Sequence, residues 1–267
     1  MQHQSHYLKD WRVAIPSLKR VVELGEKSLA TLEHHGIPKD KIDIFCIAEE
    51  LEQYRDAYIE YNIIEAPLGM KEVRNFIFQE YYNEGDWVVS MDDDILKMVM
   101  KNPNGWEKGY MTDKIDLNKE INLAFNECVR SSRSLWGLYP VDNPFFMKND
   151  ITYDYKFCNG GMWGTIVNKN LLKLGTDQYE DYERCIRHYV EEGGMVRLNY
   201  LHAKTPYEPA KCVGGMGPTR KYEEARDYLT EHYPKLFGIK QKKSGPNPFL
   251  KDYRIETHIK KSCTKDR

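Results

Sequence analysis

An α/β fold built on a parallel sheet is what this sequence of 267 residues predicts. Three observations point to it. Short apolar runs alternate with helix-like segments from Trp11 to Ile95, the links between them are short, and the turns richest in chemical groups all follow the runs. Alternation of this kind places crossover helices on a parallel sheet. Ligands of such sheets bind outside the carboxyl ends of the strands. The length suffices for one large core or two small ones. At 41% hydrophobic and 30% charged residues, the composition is that of an ordinary globular protein.

The elements follow in order. Trp11 to Ile15 reads as a strand closed by Pro16-Ser17, and a helix runs from about Val21 to His35 with Val22, Leu24, Leu29 and Leu32 as apolar positions. Gly36-Ile37-Pro38 stops it. A strand over Ile42 to Ala48, an acidic helix around Glu49 to Tyr58 and a short strand over Asn62 to Ile64 come next. Ala66-Pro67-Leu68-Gly69 then feeds a helix from about Lys71 to Tyr82, ended by Asn83-Glu84-Gly85-Asp86. Beyond a strand from Trp87, the pattern predicts a helix over Leu117 to Ser132 and a strand over Leu135 to Tyr139. Tyr155 to Val167 reads as a strand with a close approach at Gly160-Gly161. A helix over Tyr179 to Glu192, a strand over Val196 to Leu201, a Gly-rich loop over Lys211 to Gly217 and a helix over Arg220 to Tyr233 complete the reading.

The stretch that organises the chemistry is Trp87-Val88-Val89-Ser90-Met91-Asp92-Asp93-Asp94-Ile95. A buried strand here ends in three consecutive carboxylates, which repel one another and resist desolvation. A hard divalent cation, Mg2+ or Mn2+, resolves that conflict and shares carboxylate oxygens with a bound phosphate. A solvated acidic turn is the alternative. Neither GxGxxG nor GxxxxGK[ST] occurs, which argues against a dinucleotide cofactor and a P-loop. A sugar nucleotide held through a cation at its diphosphate fits what remains.

Several segments together carry a resemblance. These are Ile15-Pro16-Ser17-Leu18-Lys19-Arg20, His35-Gly36-Ile37-Pro38 before Ile42-Asp43-Ile44-Phe45, Gly69, Arg74-Asn75 and Met91-Asp92-Asp93-Asp94-Ile95. Gly160-Gly161, Glu180-Asp181-Tyr182-Glu183-Arg184 and Gly214-Gly215 extend it to about residue 235. In order and spacing the chain resembles GT-A type glycosyltransferases, more narrowly those associated with the TET/JBP class of DNA hydroxylases. That group includes the base J glucosyltransferase of kinetoplastids and relatives in bacteriophages. The resemblance implies a GT-A-like, Rossmann-type mixed sheet flanked by helices, expected as one domain over 1–238, and composition marks 239–267 as a basic tail. It also implies a UDP-sugar donor, a divalent metal, and an acceptor hydroxyl on a 5-hydroxymethylpyrimidine in DNA.

Residue by residue, the resemblance makes Asp92 and Asp94 the outer carboxylates of a DxD-like motif, with Asp93 between them on the donor. Which pair does the work stays open, because all three positions are acidic. Pro16 and Ser17 would border the base, Arg20 would pair with phosphate, and Arg74 and Asn75 would reach the same rim, Asn75 toward uracil or ribose. His202 is implied as a third metal ligand beside Asp92 and Asp94, and Lys204 as a diphosphate contact. Asp181 is implied as the base that removes the acceptor proton in an inverting displacement, oriented by Arg184 one helical turn later. Gly214-Gly215-Met216-Gly217 would close over the donor. Plain structural roles compete at each position: helix capping for Glu180-Asp181, a structural imidazole for His202, a solvated helix side chain for Asn75.

Trp136, Tyr139, Phe145, Phe146, Tyr153, Tyr155 and Trp163 make the middle of the chain aromatic, either as core or as a stacking surface for a flipped base. Lys240 to Arg267 holds nine Lys/Arg against three Asp/Glu, a net +6 in a chain of net charge -2. Such a tail can track phosphates. Six scattered cysteines without a CxxC pair suit a reducing compartment. No run approaches a membrane span, so a cytoplasmic (host cytoplasm for a viral protein) or nuclear location and no membrane partner are expected. Rival readings are a GT-A transferase for a glycan or protein acceptor, a nucleotidyltransferase, and a DNA-binding protein with an inactive transferase fold.

Overall fold

The computed structural model describes residues 9–105, 109–206, 222–241 and 253–257. The Gly214–Gly217 flap and most of the basic tail lie outside these residues.

The first half follows the predicted alternation. β1 (Trp11–Pro16) leads into α1, which runs as Val21–Leu24, a wider π-helical turn Gly25–Leu29, and Ala30–His34. β2 (Ile42–Cys46), α2 (Leu51–Ala57), β3 (Asn62–Glu65), α3 (Met70–Asn75, continuing π-helically through Phe76–Tyr81) and β4 (Trp87–Met91) follow. β1 pairs in parallel with β2 and with β4, and β2 pairs in parallel with β3. Side chains alternate across these strands. Val13, Ile15, Ile44, Val89 and Met91 join the core under α1, while Ala14, Phe45 and Val88 join the core under α3. Burial on both faces is why these strands read as continuous apolar runs.

The second half departs from a purely parallel sheet. β5 (Lys97–Lys101) and β6 (Met111–Thr112) precede α4 (Leu117–Ser131), whose first turn is capped by the Asp116 carboxylate accepting the Lys119 amide at 3.0 Å. Then come β7 (Leu135–Leu138), β8 (Ile151–Thr152), β9 (Met162–Ile166), α5 (Lys169–Leu172) and α6 (Glu180–Glu192). β10 (Val196–Leu198), β11 (Leu201–Lys204), α7 (Tyr222–His232), β12 (Phe237–Gln241) and β13 (Tyr253–Thr257) complete the described elements. Among the described residues the main sheet has eight strands in the order β3-β2-β1-β4-β9-β7-β10-β8, with β9 antiparallel to both β4 and β7. This is a mixed, Rossmann-type sheet flanked by helices.

Three local expectations are corrected. The strand expected over Tyr155–Val167 is confined to Met162–Ile166. Its close approach is at Gly164, where a Cβ would lie 2.2 Å from the Trp136 ring, and not at Gly160-Gly161. The strand expected over Val196–Leu201 breaks at Asn199-Tyr200, because the Asn199 side chain is taken by Arg197 and Asp150 at 2.7 Å each. β10 therefore stays in the main sheet, while β11 turns into a second sheet with β5 and β6. Those two strands went unread because their alternation is brief. No helix among the described residues is long and apolar enough to cross a membrane, and the described cysteines Cys46, Cys128, Cys158 and Cys185 are buried free thiols.

Candidate functional site

The carboxyl ends of β1, β2, β3 and β4 open into a cleft of about 480 Å3. One wall is apolar, with Phe45, Ile47, Ala66, Pro67 and Val73. The other carries Pro16, Ser17, Arg20 and the three acids Asp92, Asp93 and Asp94. Gly69 forms part of the rim with φ of +115°, a conformation that favours a residue without a Cβ.

The acid turn is held from several sides. Ser28 and Thr31, one helical turn apart on α1, grip its backbone. The Ser28 hydroxyl donates to the Asp92 carbonyl at 2.6 Å and accepts the Ile95 amide at 2.9 Å, and Thr31 donates to the Ile95 carbonyl at 3.0 Å. The Asp92 amide donates to the Gly161 carbonyl at 2.9 Å. Tyr54 donates to the Ser17 hydroxyl, which donates in turn to Asp93, each at 2.8 Å. Burial pushes the Tyr54 hydroxyl up to about 12, so it stays protonated.

Two arginines answer the three acids. Arg20 reaches Asp93 at 2.7 Å and Asp94 at 3.4 Å. Arg74, 1% exposed, bonds the Ser90 hydroxyl and reaches Asp92 at 2.9 Å. The Asp92 and Asp94 side chains keep 35% and 20% of their surface toward the cleft. Burial, opposed by Arg74 and reinforced by the neighbouring acids including Glu180, pushes Asp92 up to about 7. Burial and Asp93 push Asp94 up in the same direction. Carboxylates in this condition gain by meeting a cation.

A second acid pair opens α6. Glu180 is buried and bonded to Arg184, whose guanidinium lies 3.8 Å from the Trp163 ring centroid. Asp181 accepts the Tyr182 amide at 2.9 Å. It is pushed up to about 7 by enclosure and by Glu180, against the pull of Arg184. Glu180 is the member of the pair that borders the acid turn. Its charge acts on Asp92, and its Oε1 lies 3.1 Å from where a Cβ at Gly160 would stand.

The expected donor contacts divide. Pro16, Ser17, Arg20, Asp92, Asp93 and Asp94 come together at the cleft. Arg74 lies beneath it as a brace for Asp92, sealed from any ligand. Asn75 is corrected: its amide accepts the Leu174 N–H at 2.8 Å and donates to the Leu174 carbonyl at 3.0 Å, so it pins the loop before α6. Lys204 is spent on Asp142 at 2.7 Å on the surface. His202 donates through Nδ1 to the Tyr139 carbonyl at 2.8 Å, and burial lowers its pKa. Among the described residues no three His, Cys, Asp or Glu side chains converge as a metal-holding group, so His202 does not complete a set with Asp92 and Asp94. Two carboxylates, water and donor phosphates nevertheless suffice for a Mg2+-like ion, and the acid turn fits that mode.

Sequence reading missed Ser28, Thr31 and Tyr54 as supports, and Asp177 and Gln178 as cleft residues. Asp177 reaches back 106 positions to accept the Lys71 amide at 2.9 Å at the start of α3. No local pattern announces such a contact, whereas the helical spacing of Ser28 and Thr31 is a signal the sequence does contain.

No family model and no curated protein matches the chain. Among solved structures, residues 1–349 of S. aureus TarS are similar at 13% identity and a TM-score of 0.46, covering 73% of this chain and 60% of that one. Another S. aureus TarS structure gives 14% identity and 0.45, over 84% of this chain and 44% of that one. A 4-diphosphocytidyl-2C-methyl-D-erythritol synthase from Anaerococcus prevotii DSM 20548 gives 10% and 0.42, over 74% and 94%. The chain thus spans less than two thirds of either TarS chain, and the reading of function rests on the site itself.

Proposed function

We propose that the chain is a cation-assisted glycosyltransferase that moves a sugar from a UDP-sugar to the hydroxymethyl group of a 5-hydroxymethylpyrimidine in DNA. One observation carries the transferase reading. A cleft at the strand ends has an apolar wall suited to a base and ribose, and faces it with carboxylates suited to a cation and diphosphate. The DNA acceptor draws its support from the sequence resemblance.

Asp92 and Asp94 would hold a Mg2+ or Mn2+ ion, which when bound neutralises the departing diphosphate. Arg20 and Arg74 keep the two carboxylates in place. Asp181 takes the proton of the acceptor hydroxyl as that oxygen bonds to the anomeric carbon and the bond from carbon to diphosphate oxygen breaks. A base with its pKa near 7 suits neutral pH.

The test is incubation with UDP-glucose, other UDP-sugars and Mn2+ on DNA carrying 5-hydroxymethylpyrimidines, followed by mass analysis of the released nucleosides. The expected result is a nucleoside heavier by one sugar. Transfer only to an oligosaccharide or protein would replace the acceptor. Nucleotidyl transfer from a nucleoside triphosphate, without sugar transfer, would replace the whole reading.

A further inference from the structure

The turn after β7 presents two phenyl rings to solvent, Phe145 at 85% exposure and Phe146 at 59%. Their centroids lie 5.1 Å apart with ring planes at 89°. Isolated exposed hydrophobics are common; a contiguous apolar patch on a fixed turn is not. This turn is fixed. The Asn143 side chain accepts the Phe145 amide and its carbonyl accepts the amides of Phe146 and Met147, each at 3.1 Å. Met147 is buried, the Lys148 amide bonds the Asn199 carbonyl at 3.1 Å, and the Tyr139 amide bonds the Leu201 carbonyl at 2.9 Å.

Position gives the pair a meaning. β9 is antiparallel to β4 and to β7, so β4 and β7 point the same way and their following turns share one rim. A short chain of contacts joins the two turns. The Leu96 amide, two residues past Asp94, bonds the Lys204 carbonyl at 2.7 Å, and the Lys204 ammonium holds Asp142, three residues before Phe145. Leu96 and Val141, one on each of these two turns, are exposed apolar residues. The nucleotide cleft lies toward β1, β2 and β3, so the Phe pair stands on the opposite flank of the acid turn, where an acceptor must approach.

Charge narrows the class of acceptor. The Lys101 ammonium sits on the Met147 carbonyl at 2.6 Å, and Lys148, two residues past Phe146, is exposed; of the acids on this turn, Asp142 is paired with Lys204 and Asp150 accepts the Asn199 amide. Neither Lys101 nor Lys148 has a carboxylate partner among the described residues. Aromatic faces flanked by ammonium groups are how single-stranded nucleic acids are held, bases on rings and phosphates on lysines. A neutral glycan would use the rings and leave the lysines idle.

We infer that Phe145 and Phe146, with Lys148 and Lys101, form a stacking platform for the unpaired bases of a polynucleotide acceptor next to the transfer site. The inference rests on the DNA acceptor proposed above and deepens it.

The test is anisotropy of a labelled single-stranded oligodeoxythymidine with wild-type protein, F145A/F146A and K148A over a salt series. UDP binding with Mn2+ serves as the check on folding. F145A/F146A is expected to bind the oligonucleotide at least tenfold more weakly with UDP binding unchanged. K148A is expected to reduce the salt slope by about one. Equal binding by wild type and F145A/F146A overturns the platform, as does a wild type that ignores the oligonucleotide. Ring-dependent binding of a neutral oligosaccharide or of anionic vesicles, without oligonucleotide binding, overturns it in favour of those partners. Sugar transfer to hydroxymethyl-DNA with KM unchanged in F145A/F146A removes the platform and leaves the proposed function standing. Ring-dependent oligonucleotide binding without sugar transfer does the reverse.

Discussion

Two acid clusters share one rim and are neutralised in opposite ways. At Asp92–Asp94 two guanidiniums serve three carboxylates, Arg20 from the turn before α1 and Arg74 from α3. At Glu180-Asp181 a single buried Arg184 answers both acids, and its direct bond goes to Glu180. The first arrangement is a mount, with partly exposed oxygens braced from behind. The second leaves Asp181 without a direct guanidinium bond, and burial pushes it up to about 7, as it does Asp92. The lesson is that burial raises an acid in both clusters, and direct guanidinium bracing of the exposed carboxylates is what sets the first apart.

The strongest way to break this contrast is to remove the mount. Asp92→Ala with Asp94→Ala is expected to lower sugar transfer by at least about 1000-fold, since phosphate-directed charge stabilisation is worth several kcal/mol. Retained transfer, measured with Mn2+ present, would deny the mount its role. Next comes the single countercharge of the other cluster. Arg184→Met strands a buried Glu180 and is expected to cost about 3–5 kcal/mol of stability, read by urea unfolding. Adding Glu180→Gln to that variant should return most of the loss. Unfolding midpoints that stay put in the single variant would show that Glu180 is not confined.

The proton-moving half is sharpened by pH. With Asp181 pushed up to about 7, kcat/KM should climb as pH rises through 7, because the base works unprotonated. Asp181→Asn should lower it by about 100-fold and flatten that limb. The same shift affects stability. Between about pH 4 and pH 7 the folded chain keeps a proton that the unfolded chain has released, so this group makes the protein less stable as pH rises across that window. A pH–rate profile unchanged by Asp181→Asn would move the base elsewhere. The smallest effect belongs to Lys204. Its surface pair with Asp142 is worth under about 1 kcal/mol, and Lys204→Ala should alter UDP affinity by less than about twofold. A tenfold loss in calorimetry would return it to the donor site.

Legibility followed the distance over which a contact acts. The strands and helices from Trp11 to Met91 were readable because burial on both faces writes long apolar runs, and the acid triplet was readable as an electrostatic conflict. Ser17, Arg20 and the three acids meet because turns on one rim converge. The places of Arg74 and Asn75 on α3 are local facts, and they aim both at the rim. That one braces Asp92 from below while the other pins Leu174 depends on partners 18 and 99 positions away. Aromatic content told little by itself. Trp136 and Trp163 went to the core and Phe145 and Phe146 to the surface, a division set by Gly164 making room for one indole and by the Asn143 turn lifting two phenyls out.

The π-helical turn Gly25–Leu29 has a consequence for angular phase. Ser28 lies inside it, and Thr31 lies just past it. A residue added to or dropped from a helix swings everything after it by about 100° around the axis, and wide turns of this kind act as such insertions. Ser28 and Thr31 therefore face the acid turn only with this residue count. Deleting Glu26 or Lys27, which precede Ser28 within that turn, is expected to alter the phase of Ser28 relative to Val21–Leu24 and loosen its grip on Asp92 and Ile95. The orientation of the carboxylates is thus set by the phase of a helix that supplies no acid itself.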